Sequence, residues 1–204
     1  MDYLKREKIM GEIRSAKEIA AERLKNIGEI TEEDRLRWKF VPAGEKLGQR
    51  YMSERLDIEN ELGKFDQKQL PFVKQGMTQS LLIYLDLPRN ETIEKRNFKV
   101  MEGLMQIKED KQSAAAALGQ LQRIFDHYAQ QGEAQRTQAK QALKTKFEQS
   151  LRQALRAQGK EFPSQMNVEQ LPQFEEEWRR TLSQLEQQYI KSLDDLKKYL
   201  VQIQ

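Results

Sequence analysis

The sequence predicts an all-α fold, and three observations support this prediction. Apolar residues recur at steps of three and four along nearly the whole chain, and strand-like alternation is hard to find. Two segments, at about 92–130 and 173–203, keep a strict heptad spacing, which is typical of helices packed along their length. Helix-terminating residues such as Gly28, Pro42 and Gly159 stand where periodic segments end. We therefore expect an elongated helical bundle built on the two heptad-patterned helices.

Shorter helices are predicted for residues 1–87. A stripe of apolar residues indicates a helix over 3–27, and a second helix is expected to begin at Thr31 as N-cap and to end at Pro42. A third apolar pattern indicates a helix over 47–65. Residues 72–87 contain a short apolar run, which we interpret as a buried helix.

The heptad pattern over 92–130 predicts one long helix, about 58 Å in length. Its seam, meaning the residues expected to face a neighbouring helix, is mostly apolar. The seam comprises Ile93, Asn97, Val100, Leu104, Ile107, Lys111, Leu118, Leu121 and Phe125. The polar members Asn97 and Lys111 are interpreted as residues that fix the register of packing, because one polar residue at such a position can do so.

A second seam is predicted over 173–203, and it comprises Trp178, Leu182, Leu185, Tyr189 and Leu196. A basic helix over 134–158 and a proline-containing loop over 161–172 separate the two heptad segments. Residues 88–204 should therefore form a long-helix, coiled-coil-like hairpin, within a single domain spanning 1–204. The pattern leaves open whether the seams pair within one chain or between chains.

Six basic residues follow each other along the predicted helix at 136–160. They are Arg136, Lys140, Lys144, Arg152, Arg156 and Lys160. Such a row could contact phosphate groups of nucleic acid in a salt-sensitive manner. Residues four positions apart are offset by more than one full turn of an ideal helix, so the row winds around the helix and cannot form one narrow basic face. We therefore favour a solvated helix back over a nucleic-acid contact.

Most catalytic and metal-binding classes are excluded by composition. The chain has no cysteine and a single histidine, His127, and it lacks phosphate-binding and nucleophile motifs. Glu54, Asp57 and Glu61 share a helix face, but neighbouring basic residues favour surface ion pairs over a metal. Basic and aromatic residues interleave over 35–40, which we assign to a short amphipathic helix rather than to a nucleic-acid contact or to insertion at a membrane interface. We expect no enzyme activity, no cofactor and no metal.

Charge and hydropathy indicate the class of partner. The formal net charge is +3, which provides no strong global field to attract nucleic acid. The sequence contains no apolar run long enough for a membrane span and no secretory signal at its start, so we expect a cytoplasmic location. The leading hypothesis is a non-enzymatic helical interaction or scaffold protein with a protein partner or self-association. The alternatives are a nucleic-acid-associated helical protein and a ligand-binding bundle.

Overall fold

The computed structural model describes residues 30–161, 163 and 166–203. These residues form helices and no strand, which confirms the all-α class. The predicted helix over 3–27 lies outside the described residues. The chain divides into two compact units, residues 1–39 and 40–204, and the single-domain organisation stays a prediction.

Seven α-helices occupy the described part of the chain. They are α1 (Glu32–Ser53), α2 (Ile58–Leu62), α3 (Leu70–Ile83), α4 (Glu91–Ile107), α5 (Lys111–His127), α6 (Glu133–Ala157) and α7 (Pro172–Gln202). A π-helical segment, Tyr128–Gly132, joins α5 to α6, and a short 3-10 turn, Val168–Gln170, precedes α7. The buried helix predicted over 72–87 is confirmed as α3, with bounds shifted toward the N-terminus.

The end of the second helix was predicted wrongly. Thr31 does cap α1, because its hydroxyl accepts a hydrogen bond from the Asp34 backbone N–H at 3.1 Å. The helix, however, continues through Pro42 to Ser53. Tertiary burial of its later turns, including Leu47 and Tyr51, outweighs the backbone hydrogen bond that proline removes. The single helix predicted over 47–65 is consequently divided between α1 and α2.

Helices α1 and α3 cross in close contact at two glycines. A Cβ atom on Gly44 would lie 2.0 Å from the carbonyl oxygen of Val73, and one on Gly76 would lie 2.0 Å from that of Val41. Only a residue without a Cβ atom allows the two backbones to approach this closely. The crossing therefore depends on both glycines.

The predicted long helix over 92–130 is interrupted at residues 108–110. Lys108 has extended backbone angles, and Asp110 begins α5 by accepting a hydrogen bond from the Ser113 N–H at 2.9 Å. Because of this break, α4 and α5 fold back against each other. The longest uninterrupted helical stretch instead runs for 47 residues, from α5 through the π segment to the end of α6.

The second long helix lies where the heptad pattern predicts it. α7 covers Pro172–Gln202 and packs against α3, α5 and α6. The hairpin of residues 88–204 therefore pairs α7 with the continuous α5–α6 stretch and not with a helix over 92–130.

Most residues of the first seam are buried within this single chain. The buried members are Asn97, Val100, Leu104, Ile107, Leu118, Leu121 and Phe125, whereas Ile93 is half-buried. Lys111 is an exception, because it is exposed and its Nζ donates to the backbone carbonyls of Met105 and Gln106 at 2.7 and 3.0 Å. It caps the end of α4 and does not fix a packing register.

The second seam is rotated relative to the prediction. Trp178, Leu182, Leu185, Tyr189 and Leu196 are half-buried. The fully buried positions of α7 are Phe174, Glu186, Leu193 and Leu200. The rotation follows from contacts on more than one side, since α7 packs against several helices rather than against one heptad partner.

Candidate partner groove and its polar support

A concave surface lies between the first turns of α4 and the last turns of α5. It encloses a cavity of about 580 Å³. Its lining residues are Pro88, Glu91, Glu94, Lys95, Asn97, Phe98, Met101, Gln122, Phe125, Asp126 and Ala129. We call this surface the α4–α5 groove.

Apolar side chains form much of the groove. Phe98 is 69% exposed although it is a large aromatic residue, and Met101 beside it is half-buried. Phe98 follows the buried Asn97 and precedes the buried Val100, so it lies on the outward side of α4. A large exposed aromatic residue next to a concave apolar surface is typical of an interaction site.

The charged groups along the groove are mainly acidic. Glu91 forms an ion pair with Lys95 at 2.6 Å. Among the described residues, Glu94 and Asp126 have no ion-pair partner, and Asp126 accepts a hydrogen bond from the Gln122 side chain at 2.9 Å. Two negative charges on this surface therefore have no ion-pair partner among the described residues.

Asn97 holds the wall of the groove in place. Its side-chain N–H donates to the backbone carbonyl of Asp86 at 2.6 Å, and its carbonyl oxygen accepts from the Asp86 N–H at 3.2 Å. The side chain therefore satisfies buried backbone groups in the connection between α3 and α4. Its polar character anchors a loop of its own chain, which differs from the predicted role in fixing helix register.

The same connection is tied to α7 through a buried carboxylate. Arg89 donates to Glu186 from Nη2 at 2.8 Å and from Nε at 3.3 Å, and the Tyr128 hydroxyl donates to Glu186 as well. Burial alone would raise the pKa of Glu186, but the hydrogen bonds and charges of Arg89 and Tyr128's hydrogen bond outweigh it, and the pKa is lowered. Glu186 therefore remains ionised. Burial of the Tyr128 hydroxyl, together with its hydrogen bond to Glu186, raises the pKa of Tyr128 to about 12.

Arg136 completes this polar cluster and is not available to an external anion. Its guanidinium lies over the Tyr128 ring at 4.0 Å and donates to the Tyr128 backbone carbonyl at 3.3 Å. It also pairs with Glu133 at 2.7 Å. A π-helical segment begins at Tyr128, and such segments are frequent at functional sites.

Two further residues of the predicted basic row are paired inside the chain. Lys140 and Lys144 each contact Glu169 of the 3-10 turn at 2.9 Å. Arg152, Arg156 and Lys160 are exposed. The predicted basic row therefore consists of two groups. Arg136, Lys140 and Lys144 form contacts within the fold, whereas the other three residues are exposed.

The other polar residues considered from the sequence have local structural roles. His127 is exposed, and its Nδ1 shares a hydrogen bond of 2.7 Å with the Tyr189 hydroxyl. Asp57 caps α2, and Glu61 pairs with Lys64 at 2.7 Å. Within the described ranges no cluster of potential metal ligands occurs, and none of the helices there is long and apolar enough to cross a membrane.

Comparison with known proteins assigns the chain to a family. A family model described as a family of unknown function, DUF6657, matches residues 59–202, which include every residue that lines the groove. The chain belongs to this family. No curated protein and no solved structure matches the chain significantly. The matched region therefore includes α3 to α7, and the family has no assigned activity.

Proposed function

We propose that this DUF6657 member is a non-enzymatic helical interaction protein that binds a basic amphipathic helix in the α4–α5 groove. The supporting observation is the exposed Phe98 beside Met101, in a groove whose unpaired charges, Glu94 and Asp126, are acidic. Apolar contacts would provide affinity, and the two carboxylates would select the charge of the partner.

The dimensions of the groove favour a helix of about three turns. Glu91 and Met101 mark its ends along α4, and the ten helical steps between them span about 15 Å. A partner helix would place apolar residues at steps of three and four into the groove, with lysine or arginine beside them. The predicted seams provide no such surface, since the buried residues Val100, Leu104 and Leu121 already pack within the chain.

A peptide titration tests this proposal. The probe is a fluorescein-labelled 18-residue peptide of leucine and lysine at helical spacing, and binding is followed by fluorescence anisotropy. We expect Phe98→Ala to weaken binding about tenfold, because a central aromatic anchor typically contributes more than 1 kcal/mol. Ile83→Ala is the matched control, since Ile83 is 79% exposed but lies outside the groove.

Charge reversal provides a second arm of the same experiment. Glu94→Lys with Asp126→Lys should weaken binding and reduce its dependence on salt, because the attraction to lysine is lost. Asp194→Lys is the control, as Asp194 is exposed on α7 and does not line the groove. Equal affinities of all variants, or equally tight binding of a leucine–glutamate peptide, would contradict the proposal.

A further inference from the structure

A second, smaller cavity lies at the opposite end of α4. It has a volume of about 300 Å³ and is enclosed by the start of α3, the break at residues 108–110 and the end of α7. The lining residues are Pro71, Lys74, Gln75, Thr78, Ile107, Lys108, Glu109, Val201, Gln202 and Ile203. Its size is at the lower end of the range for small-molecule sites.

Lys108 places a buried positive charge at this cavity. The residue is 6% exposed, and its Nζ donates to the backbone carbonyl of Ile203 at 2.6 Å. Within the described residues, no carboxylate contacts this ammonium group, which has three N–H donors. Burial lowers its pKa to about 8, so the charged form is retained at neutral pH at a cost in solvation. An anion in the cavity would offset that cost.

Thr78 contributes a second polar group that lacks a partner. The residue is 2% exposed, and its hydroxyl makes no hydrogen bond within the described part of the chain. Most buried hydroxyl groups in proteins are hydrogen-bonded, since an unpaired one costs free energy. Because Thr78 and Lys108 line the same cavity, one acceptor group could satisfy both.

The remaining charges of the cavity limit the charge of a ligand to about −1. Lys74 and Glu109 form an ion pair at 2.8 Å, so they neutralise each other. Among the described residues that line the cavity, the ammonium of Lys108 is then the uncompensated charge. A dianion such as phosphate would carry one excess negative charge beside Glu109. Ile107, Val201 and Pro71 provide apolar contact surface for a short carbon chain.

We propose that this cavity binds a small monocarboxylate, whose carboxylate accepts hydrogen bonds from Lys108 and Thr78 and whose carbon chain contacts Ile107 and Val201. This site is separate from the α4–α5 groove and requires no partner protein. Binding involves no covalent step.

Titration of the full chain with butyrate, followed by ¹H–¹⁵N NMR shifts, tests this site. We expect saturable shifts centred on Thr78 and Lys108. Lys108→Met should weaken binding at least tenfold and Thr78→Val about fivefold, because the first variant loses an ion pair and the second loses one hydroxyl hydrogen bond. Thr78→Val should keep or raise the melting temperature, since it removes an unpartnered hydroxyl, so weaker binding would not reflect misfolding.

Matched controls separate carboxylate recognition from general effects. Lys197→Met should leave butyrate affinity unchanged. Like Lys108, Lys197 is a partly buried lysine whose ammonium donates to a backbone carbonyl, here that of Leu85 at 2.7 Å, but it lies outside the cavity. Butanol and inorganic phosphate should each bind at least tenfold more weakly than butyrate.

Two outcomes would overturn the inference. The first is the absence of saturable shifts with butyrate. The second is equal butyrate affinity in the Lys108→Met variant and the parent chain.

Discussion

Replacing Gly76 with alanine is expected to lower the free energy of unfolding by about 3 kcal/mol. The added Cβ atom would lie 2.0 Å from the carbonyl oxygen and 2.8 Å from the carbonyl carbon of Val41. These are backbone atoms of α1, so the overlap cannot be relieved by rotating a side chain. The helices α1 and α3 must separate, and they then lose packing along the crossing.

Urea denaturation of Gly76→Ala and Gly119→Ala measures this effect. Gly119 is the matched control, because its Cβ would meet nothing closer than 3.9 Å and the residue is within helix α5. Alanine there should raise stability by about 0.5 to 1 kcal/mol through its higher helix propensity. A Gly76→Ala variant as stable as the parent chain would show that the crossing is not limited by backbone contact.

A double variant examines whether the two glycines act on one contact. Gly44→Ala alone should be destabilising for the same reason, since its Cβ would lie 2.0 Å from the Val73 carbonyl oxygen. Once one alanine has separated the helices, the second should cost less. The combined loss in Gly44→Ala with Gly76→Ala should therefore be smaller than the sum of the two single losses.

Replacing Arg89 with methionine is expected to cost about 3 kcal/mol of stability at pH 7. Glu186 is 5% exposed, and Arg89 is its main cationic partner in the buried cluster. Without Arg89, an ionised carboxylate would remain buried with only the Tyr128 hydroxyl and the nearby Arg136 charge to stabilise it. We place the effect at the lower end of the range for buried ion pairs because the Arg89 side chain is 37% exposed.

Double substitution and pH provide independent measurements of the same interaction. Arg89→Met with Glu186→Gln should recover part of the lost stability, because no buried carboxylate charge remains. In the parent chain the pKa of Glu186 is lowered from the ordinary value of a glutamate, so its stabilising contribution is present above that ordinary value and is lost as the pH falls through the folded-state pKa. Protonation of Glu186 should therefore reduce the difference in the free energy of unfolding between Arg89→Met and the parent chain on going from pH 7 to pH 4.

An exposed ion pair serves as the control for Arg89. Arg180 contacts Glu176 at 2.6 Å with side chains 66% and 57% exposed, so Arg180→Met should change stability by less than about 0.5 kcal/mol. An Arg89→Met variant with a similarly small effect, unchanged between pH 4 and pH 7, would contradict the role assigned to the cluster.

The candidate groove could not be derived from helical periodicity. Heptad spacing identifies the buried side of α4 through Val100 and Leu104, but Phe98 and Met101 lie outside the seam positions and have no periodic signal of their own. An aromatic residue outside an otherwise consistent seam was the available indication. Phe125 and Asp126, which line the groove together with Phe98, belong to α5, so only the fold shows that side chains of the two helices form one surface.

The buried polar groups were equally inaccessible to sequence analysis. Arg89 and Glu186 are 97 positions apart in the chain, and neither occupies a recognisable motif. The predicted basic row mixed residues with different environments, since Arg136 stacks on Tyr128 while Arg156 is exposed. Spacing along one helix cannot distinguish these cases, because the partner of each charge comes from another element.

The sequence by itself determined the helical class, the N-cap at Thr31 and the position of α7, because these depend on local periodicity and capping within one segment. Only the tertiary structure decided that α1 continues through Pro42, that α4 and α5 are separate helices, and which faces of them remain exposed. The heptad pattern continues across the break at residues 108–110 because the helices on both sides of it, α4 and α5, bury their apolar residues in the same core. The break, and the groove at the other end of the α4–α5 pair, therefore follow from packing between segments, which no single segment encodes.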